Sequence, residues 1–255
     1  MRRLWPWIGG AAALIAAVLI WSAVRDHQMA SRLLSTDPDK IPAQAELVRY
    51  ADGLAKPAYA AHCASCHGAD MKGDQKKGAP NLADGIWLYD FGAVGDIERT
   101  ILYGIRSGNA KARNITDMPP IGRNMQLSPA EIADVTTFVL SLTHHQNDAA
   151  AVARGGQIFQ TKGVCYDCHS SDAAGNPDYG SPAFTDADWI YGGDYDSVYR
   201  SIYSGRHGLC PAWIDTLQPK VIRALAVYLH QVSHQDSGAS QGPTANKSSG
   251  AQAHG

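Results

Sequence analysis

The apolar positions of this chain fall into runs of different period. Residues 4–24 carry no charged side chain over 21 positions. At 1.5 Å per residue such a helix covers a hydrocarbon core of about 30 Å, so the run predicts a membrane-crossing helix. Further along, apolar residues at 132, 135, 138, 139 and 142 line one face at helical period. Ser128-Pro129-Ala130-Glu131 stands just before them and has the form of a capping box with proline at the first helical position. The stripe returns at Ile222, Leu225, Tyr228, Leu229 and Val232. Both stripes predict core helices, each packing on the first helix of its own half. Residues 57–67 and 154–169 predict two such first helices. Gly95-Asp96 and Gly193-Asp194 predict the starts of two more, with aspartate as N-cap.

The returning stripe is part of an internal repeat. A shift of 102 residues sets Cys63, Cys66 and His67 on Cys165, Cys168 and His169, and Gly78, Pro80, Asp84 and Trp87 on Gly180, Pro182, Asp186 and Trp189. The pattern therefore predicts an all-α chain of two homologous domains, residues 49–145 and 149–235. Residues 1–25 form an anchor ahead of them and residues 26–48 a polar tether containing Pro38 and Pro42. Residues 236–255, rich in Ser, Gly, Ala and Gln, cannot build a core and predict a disordered tail.

Charge refines this layout. The formal net charge is −2 with no basic blocks, which argues against nucleic acid as a partner. Arg2 and Arg3 precede the apolar run, and Trp5, Trp7 and Trp21 lie near its ends. That arrangement predicts a single-pass anchor in a bacterial inner membrane, with everything after Arg25 on the periplasmic side. A signal peptide cut after Ala23 is the rival reading. Trp21 suits such a cut poorly, and the run is long for a signal.

The candidate chemistry lies in Cys63-Ala64-Ser65-Cys66-His67 and Cys165-Tyr166-Asp167-Cys168-His169. Each has the C-x-x-C-H form of a c-type haem attachment site. Two thiols on one helical turn each bond a vinyl group of one porphyrin, and the following histidine offers its imidazole to the iron. Two covalently bound haem c groups are therefore expected, on Cys63/Cys66 and Cys165/Cys168, with His67 and His169 as iron ligands. A zinc site of four thiolates is the alternative, but it does not require a histidine after both pairs. Methionine commonly completes such an iron and raises its potential. Met118, followed by Pro119-Pro120, is the candidate in the first half. Met71 lies too close to His67, and Met125 is a competitor. The repeat sets Met118-Pro119-Pro120 on Cys210-Pro211-Ala212, and the second half contains no methionine. Cys210 is also the one cysteine outside the pentapeptides, of five in the chain. It ligates as thiolate, stays protonated beside a five-coordinate iron, yields to His207, or forms an intermolecular disulfide; thiolate ligation is the favoured outcome. Arg106 and Arg206 are candidates to pair with haem propionates.

Gly78-Ala79-Pro80-Asn81-Leu82, Ile101-Leu102-Tyr103-Gly104-Ile105-Arg106 and Trp189-Ile190-Tyr191-Gly192-Gly193-Asp194 resemble the dihaem CcoP/FixP subunit of cbb3-type cytochrome c oxidases. So do Gly205-Arg206-His207-Gly208 and the stretch from Ala224 to His230. The resemblance covers roughly residues 45–235. It implies an N-terminal transmembrane helix followed by two tandem class I cytochrome c domains. It also implies single-electron transfer in a respiratory chain, into the terminal oxidase subunits, from a soluble cytochrome or a quinol-oxidising complex. The family's His/Met ligation maps onto His67/Met118 and His169/Cys210, with cysteine standing where the family has methionine. Two other classes compete: a haem-based gas or redox sensor using the second haem, and a dihaem peroxidase. Service as the electron-transfer subunit of another respiratory or dehydrogenase complex is a further alternative.

Overall fold

The computed structural model describes residues 5–114, 116–143, 148–186 and 188–237, and the expected tail lies outside them but for its first two residues. Among the described residues the chain is helical, with isolated bridges and no strand. The helices are α1 (Trp5–Ser35), α2 (Ala45–His62), α3 (Ala64–His67), α4 (Val94–Tyr103), α5 (Pro129–Ser141), α6 (Ala149–Gln160), α7 (Tyr166–His169), α8 (Tyr195–Ser204) and α9 (Pro219–Ser237).

The N-terminal signals of these helices act as their chemistry dictates. Ser128 Oγ accepts from Glu131 N, and Glu131 Oε2 accepts from Ser128 N at 2.8 Å, closing the capping box of α5. Asp194 caps α8 by accepting from Ser197 N at 2.9 Å. Helix α4 departs from expectation. Ala93 holds its N-cap position, and Asp96 sits in the first turn. An aspartate from elsewhere does the capping: Asp39 Oδ1 accepts from Gly95 N at 3.1 Å.

The first helices also differ from the expected spans. Helix α2 begins at Ala45, and Pro57 lies inside it. The ring costs one internal hydrogen bond. The buried stripe Leu47, Ala51, Ala55 and Tyr59 on both sides of the proline holds the helix together by packing. In the second half the expected continuous helix breaks after Gln160, through Gly163 and through Val164 at φ 45°, before α7 resumes.

Two apolar cores form, and both are built from both halves. Helix α9 packs on α2 and α4, while α5 packs on α6 and α8. The final helix of each half therefore crosses to the other half, where a helix returning to its own half was expected. The connection from α5 to α6 is residues 142–148, and short connections make consecutive helices neighbours. Core one contains Ala51, Ala55, Ala224 and Ala226, small residues that let α2 and α9 approach closely. Core two achieves this with Gly155, where a Cβ would fall inside contact distance of the Asp134 carbonyl oxygen.

Residues 26–48 are packed rather than loose. Leu33, Ile41 and Leu47 are fully buried in core one, and α1 lies against α9 and α2. Arg223 of α9 donates from Nη1 to the Leu33 and Thr36 carbonyls at 3.2 and 3.1 Å, satisfying the free carbonyl end of α1. Its Nε reaches Glu98 of α4 at 2.7 Å. Asp26 accepts from Tyr50 at 2.7 Å and pairs with Lys220 at 2.9 Å. Among the described residues no helix is long and apolar enough to cross a membrane.

Candidate functional site

The two pentapeptides open onto one cavity of about 710 Å³, lined by residues of both halves. Helix α3 presents Cys66 and His67 to it, and α7 presents Cys168 and His169. None of the five cysteines is disulfide-bonded. Burial pushes the thiols of Cys63 and Cys165 up to about 11.

The two histidines are held identically. His67 Nδ1 lies 3.0 Å from the Pro80 carbonyl, and His169 Nδ1 lies 3.0 Å from the Pro182 carbonyl. A carbonyl oxygen only accepts, so Nδ1 carries the proton and Nε2 keeps its lone pair. Burial lowers the pKa of both imidazoles, more than the carbonyl contact raises it, and favours the neutral, ligating form. Such a contact on the far ring nitrogen orients a metal-binding histidine.

The indole Nε1 atoms of Trp87 and Trp189 are buried and have no hydrogen-bond partner. Both tryptophans line the cavity. A buried donor left unpaired costs about 1–3 kcal/mol. Two of them at equivalent positions of the repeat fit a ligand that brings acceptor atoms, as the carboxylates of haem do. Two thiol pairs, two neutral imidazoles, two orphaned donors and largely apolar walls together suit two haem groups.

On the opposite wall the structure crosses the expected pairing. Met118 and Arg206 exchange backbone hydrogen bonds of 3.2 and 3.0 Å, which seats Met118 beyond the end of α8. Its side chain packs on core two together with Cys165, Phe184 and Trp189. Cys210 exchanges bonds of 3.0 and 2.9 Å with Ile105, beyond the end of α4. Its thiol is raised to about 11, first by burial and then by the neighbouring Cys63 and Cys66. Met118 thus belongs to the cleft of His169, and Cys210 to the cleft of His67. Gly104 and Gly205, at φ 74° and 69°, make the crossing possible, because a Cβ on either would strike the incoming Cys210 or Met118 carbonyl.

The competing ligands lie elsewhere. Met125 is 88% exposed, and Met71 is buried in core one. The His207 side chain is 60% exposed, and its Nδ1 pairs with Asp117 at 2.8 Å. Arg106 lines the cavity but is engaged with Asp117 at 3.3 Å and with the Thr116 carbonyl at 3.0 Å. Arg206 donates to Ser201 at 2.9 Å and lies over the Tyr191 ring at 4.1 Å.

Sequence reasoning missed the reciprocal seam between the clefts. A Cβ on Gly78 would strike the Tyr191 ring, and one on Gly180 would strike the Tyr89 ring. The repeat pairs Gly78 with Gly180 and Tyr89 with Tyr191, so this self-complementary contact was legible as a pattern. Phe184, stacked on His169 at 4.3 Å, was also missed, because its counterpart in the first half is Leu82.

Comparison with known proteins gives a consistent picture. Residues 54–143 match the cytochrome c family, and residues 150–229 match the family described as cytochrome c oxidase, cbb3-type, subunit III. The cbb3-type cytochrome c oxidase subunit FixP of Bradyrhizobium sp. (strain ORS 278) is 38% identical over 213 residues, covering 82% of this chain and 70% of that protein. The subunit CcoP of Cereibacter sphaeroides is 33% identical over 235 residues, covering 89% of this chain and 79% of its own length.

Proposed function

The chain belongs to the CcoP/FixP family of cbb3-type cytochrome c oxidase subunits, and from that premise we propose that it passes single electrons toward the oxidase through two crossed haem sites. Two covalently bound haem c groups follow from the paired cytochrome c domains. When bound, each supplies a one-electron iron couple. Cys63 and Cys66 would hold the first and Cys165 and Cys168 the second, with His67 and His169 offering their Nε2 lone pairs to the irons. Met118 would complete the site of His169, and Cys210 the site of His67, where a bound ferric iron would favour the thiolate against the burial that raises the thiol. The observation that carries this reading is the pair of Nδ1-anchored imidazoles facing one cavity that both halves enclose.

The residues of the chain set the conditions for transfer. Pro80 and Pro182 fix the imidazoles. Trp87 and Trp189 offer donors to the haem carboxylates. The apolar walls limit water, so that little reorganisation accompanies a change of iron charge. An anionic sulfur favours ferric iron, so the His67/Cys210 site has the lower potential and the His169/Met118 site the higher.

Although no described helix is long and apolar enough for a full span, the charge-free run at residues 4–24 is proposed as a single-pass anchor, with the haem domains periplasmic. Leu14, Ile15, Val18, Leu19, Ile20 and Trp21 support this, because they are exposed on α1. A soluble cytochrome or a quinol-oxidising complex supplies the electrons. Redox titration and electron paramagnetic resonance of Cys210→Met test the ligand assignment. The lower midpoint should rise, and the low-spin ferric signal should change to that of a His/Met site. If neither moves, Cys210 is not on the iron. Copurification of oxidase subunits from gently solubilised membranes tests the partner, and copurification of a dehydrogenase instead would overturn it.

A further inference from the structure

The mouths of the two clefts share a backbone and differ in charge. In the first half Asp74 Oδ1 accepts from Lys76 N at 2.9 Å, and Asp74 bridges Ala79. In the second half Asn176 Oδ1 accepts from Asp178 N at 3.0 Å, and Asn176 bridges Ser181. On this common turn the first mouth carries Lys76 and Lys77, where the second carries Asp178 and Tyr179. Ser65 of the first pentapeptide is matched by Asp167, and Ala64 by Tyr166. The turn needs neither sign of charge to form, so folding does not account for the inversion.

At the matched positions of the two turns and pentapeptides, apolar exposure is greater at the acidic mouth, although Ile86 and Leu209 also expose apolar surface along the cavity. Val164, Tyr166 and Tyr179 are 52%, 37% and 36% exposed there. Their counterparts at the first mouth are His62, Ala64 and Lys77. Val164, Asp167 and Tyr179 also line the cavity, so the patch is its outer lip. Asp167 and Asp178 are exposed and make no ion pair among the described residues. Lys162, the cation at the same lip, is tied to Glu131 at 2.6 Å. An exposed aromatic centre with a charged rim is the anatomy of a small transient interface, and tyrosine serves well at a surface that is alternately wet and covered.

We propose that the lip of the second cleft, centred on Tyr166 and Tyr179 and rimmed by Asp167 and Asp178, is the docking face for a small redox protein with lysines around its own redox centre. Charge complementarity selects a basic partner and steers its approach. Continuity with the cavity that serves His169 makes a redox partner the fitting one. The face rests on the electron-transfer reading above and gives it an entry side. The first mouth, where Lys76 stands beside a Lys77 paired with Asp74 at 3.4 Å, carries a net positive turn and disfavours the same partner.

The test uses the full-length, haem-loaded protein in detergent and a lysine-rich cytochrome c as probe, with an acidic flavodoxin as control. Asp167→Ser, Asp178→Lys and Tyr179→Lys together give the second lip the residues that the first lip carries at the matching positions of its pentapeptide and turn. This variant should bind the probe at least about tenfold more weakly at low salt, with a shallower salt dependence. The reciprocal variant, Lys76→Asp with Lys77→Tyr, should bind the probe as tightly as the wild type or more tightly. Haem content and spectrum check that both variants are folded. The proposal is overturned if the wild type does not bind the probe, if the second-lip variant binds it like the wild type, or if both variants lose binding alike. Absence of covalent haem, or failure to reduce the oxidase, would instead remove the electron-transfer reading itself.

Discussion

The clefts of His67 and His169 are copies that have diverged, and their differences show what each copy can vary. Both fix the imidazole on a proline carbonyl, place a tryptophan on the wall and receive the segment carrying Met118 or Cys210 from the other half. Cleft two is aromatic: Phe184 stacks on His169, and Phe159 and Trp189 lie against Phe184. Cleft one has Leu82 in the place of Phe184, and the core behind it holds the edge-to-face pair Tyr59 and Tyr228. The anchoring of the imidazole is kept, while the sulfur residue of the crossing segment and the packing differ. Two sites of one design can then hold different potentials.

The largest expected effect breaks the exchange of helices. A chain ending after residue 145 keeps the whole first half but loses α9, so α2 and α4 have nothing to close on. It should show no cooperative thermal transition by circular dichroism. A cooperative transition with bound haem would restore two independent halves.

Next comes the crossed ligation. In a single-haem variant with Cys165→Ala and Cys168→Ala, only the cleft of His67 is loaded. Its midpoint should shift on the order of 0.1 V on Cys210→Met and should not respond to Met118→Ala. The opposite responses would uncross the pairing.

A smaller effect separates two glycines at equivalent places in the repeat. Gly155→Ala forces a methyl group against the Asp134 carbonyl and should destabilise by about 1–3 kcal/mol. At Gly53 a Cβ meets nothing within 4 Å, so Gly53→Ala should stabilise by roughly 1 kcal/mol. Chemical denaturation of both variants reads the difference, and equal effects would mean that the two helix crossings are alike.

The smallest effect concerns Asp188, whose carboxyl is raised to about 6, first by burial and then by Asp84 and Asp186. A raised carboxyl stabilises the fold while protonated, and that contribution fades as pH climbs from about 4 through 6. Asp188→Asn should therefore match the wild type near pH 4 and melt slightly higher near pH 7. A melting temperature unchanged at both pH values would remove the strain assigned to this carboxylate.

Local chemistry was readable in advance and partner choice was not. The pentapeptides, the capping box of α5 and the aspartate cap of α8 act through neighbours in the chain, so their spacing was enough. The stripes of α5 and α9 are nearly interchangeable: Ile132, Val135 and Phe138 correspond to Ile222, Leu225 and Tyr228. Either stripe satisfies either core, and hydrophobic periodicity carries no address. The address lay in the connection at residues 142–148, which is too short to favour a return path over the adjacent helix. The cap on α4 was hidden for another reason. Asp39 lies 56 residues from the amide it caps, beyond the reach of any local signature.

The clasp of Arg223 on the end of α1 has a temporal side. Helix α9 follows both pentapeptides in the chain, so α1 has no seat on it until both have been synthesised. Once Arg223 engages the Leu33 and Thr36 carbonyls, the amino-terminal helix loses its swivel. Any tilt of that helix is then transmitted directly to the orientation of both porphyrin clefts.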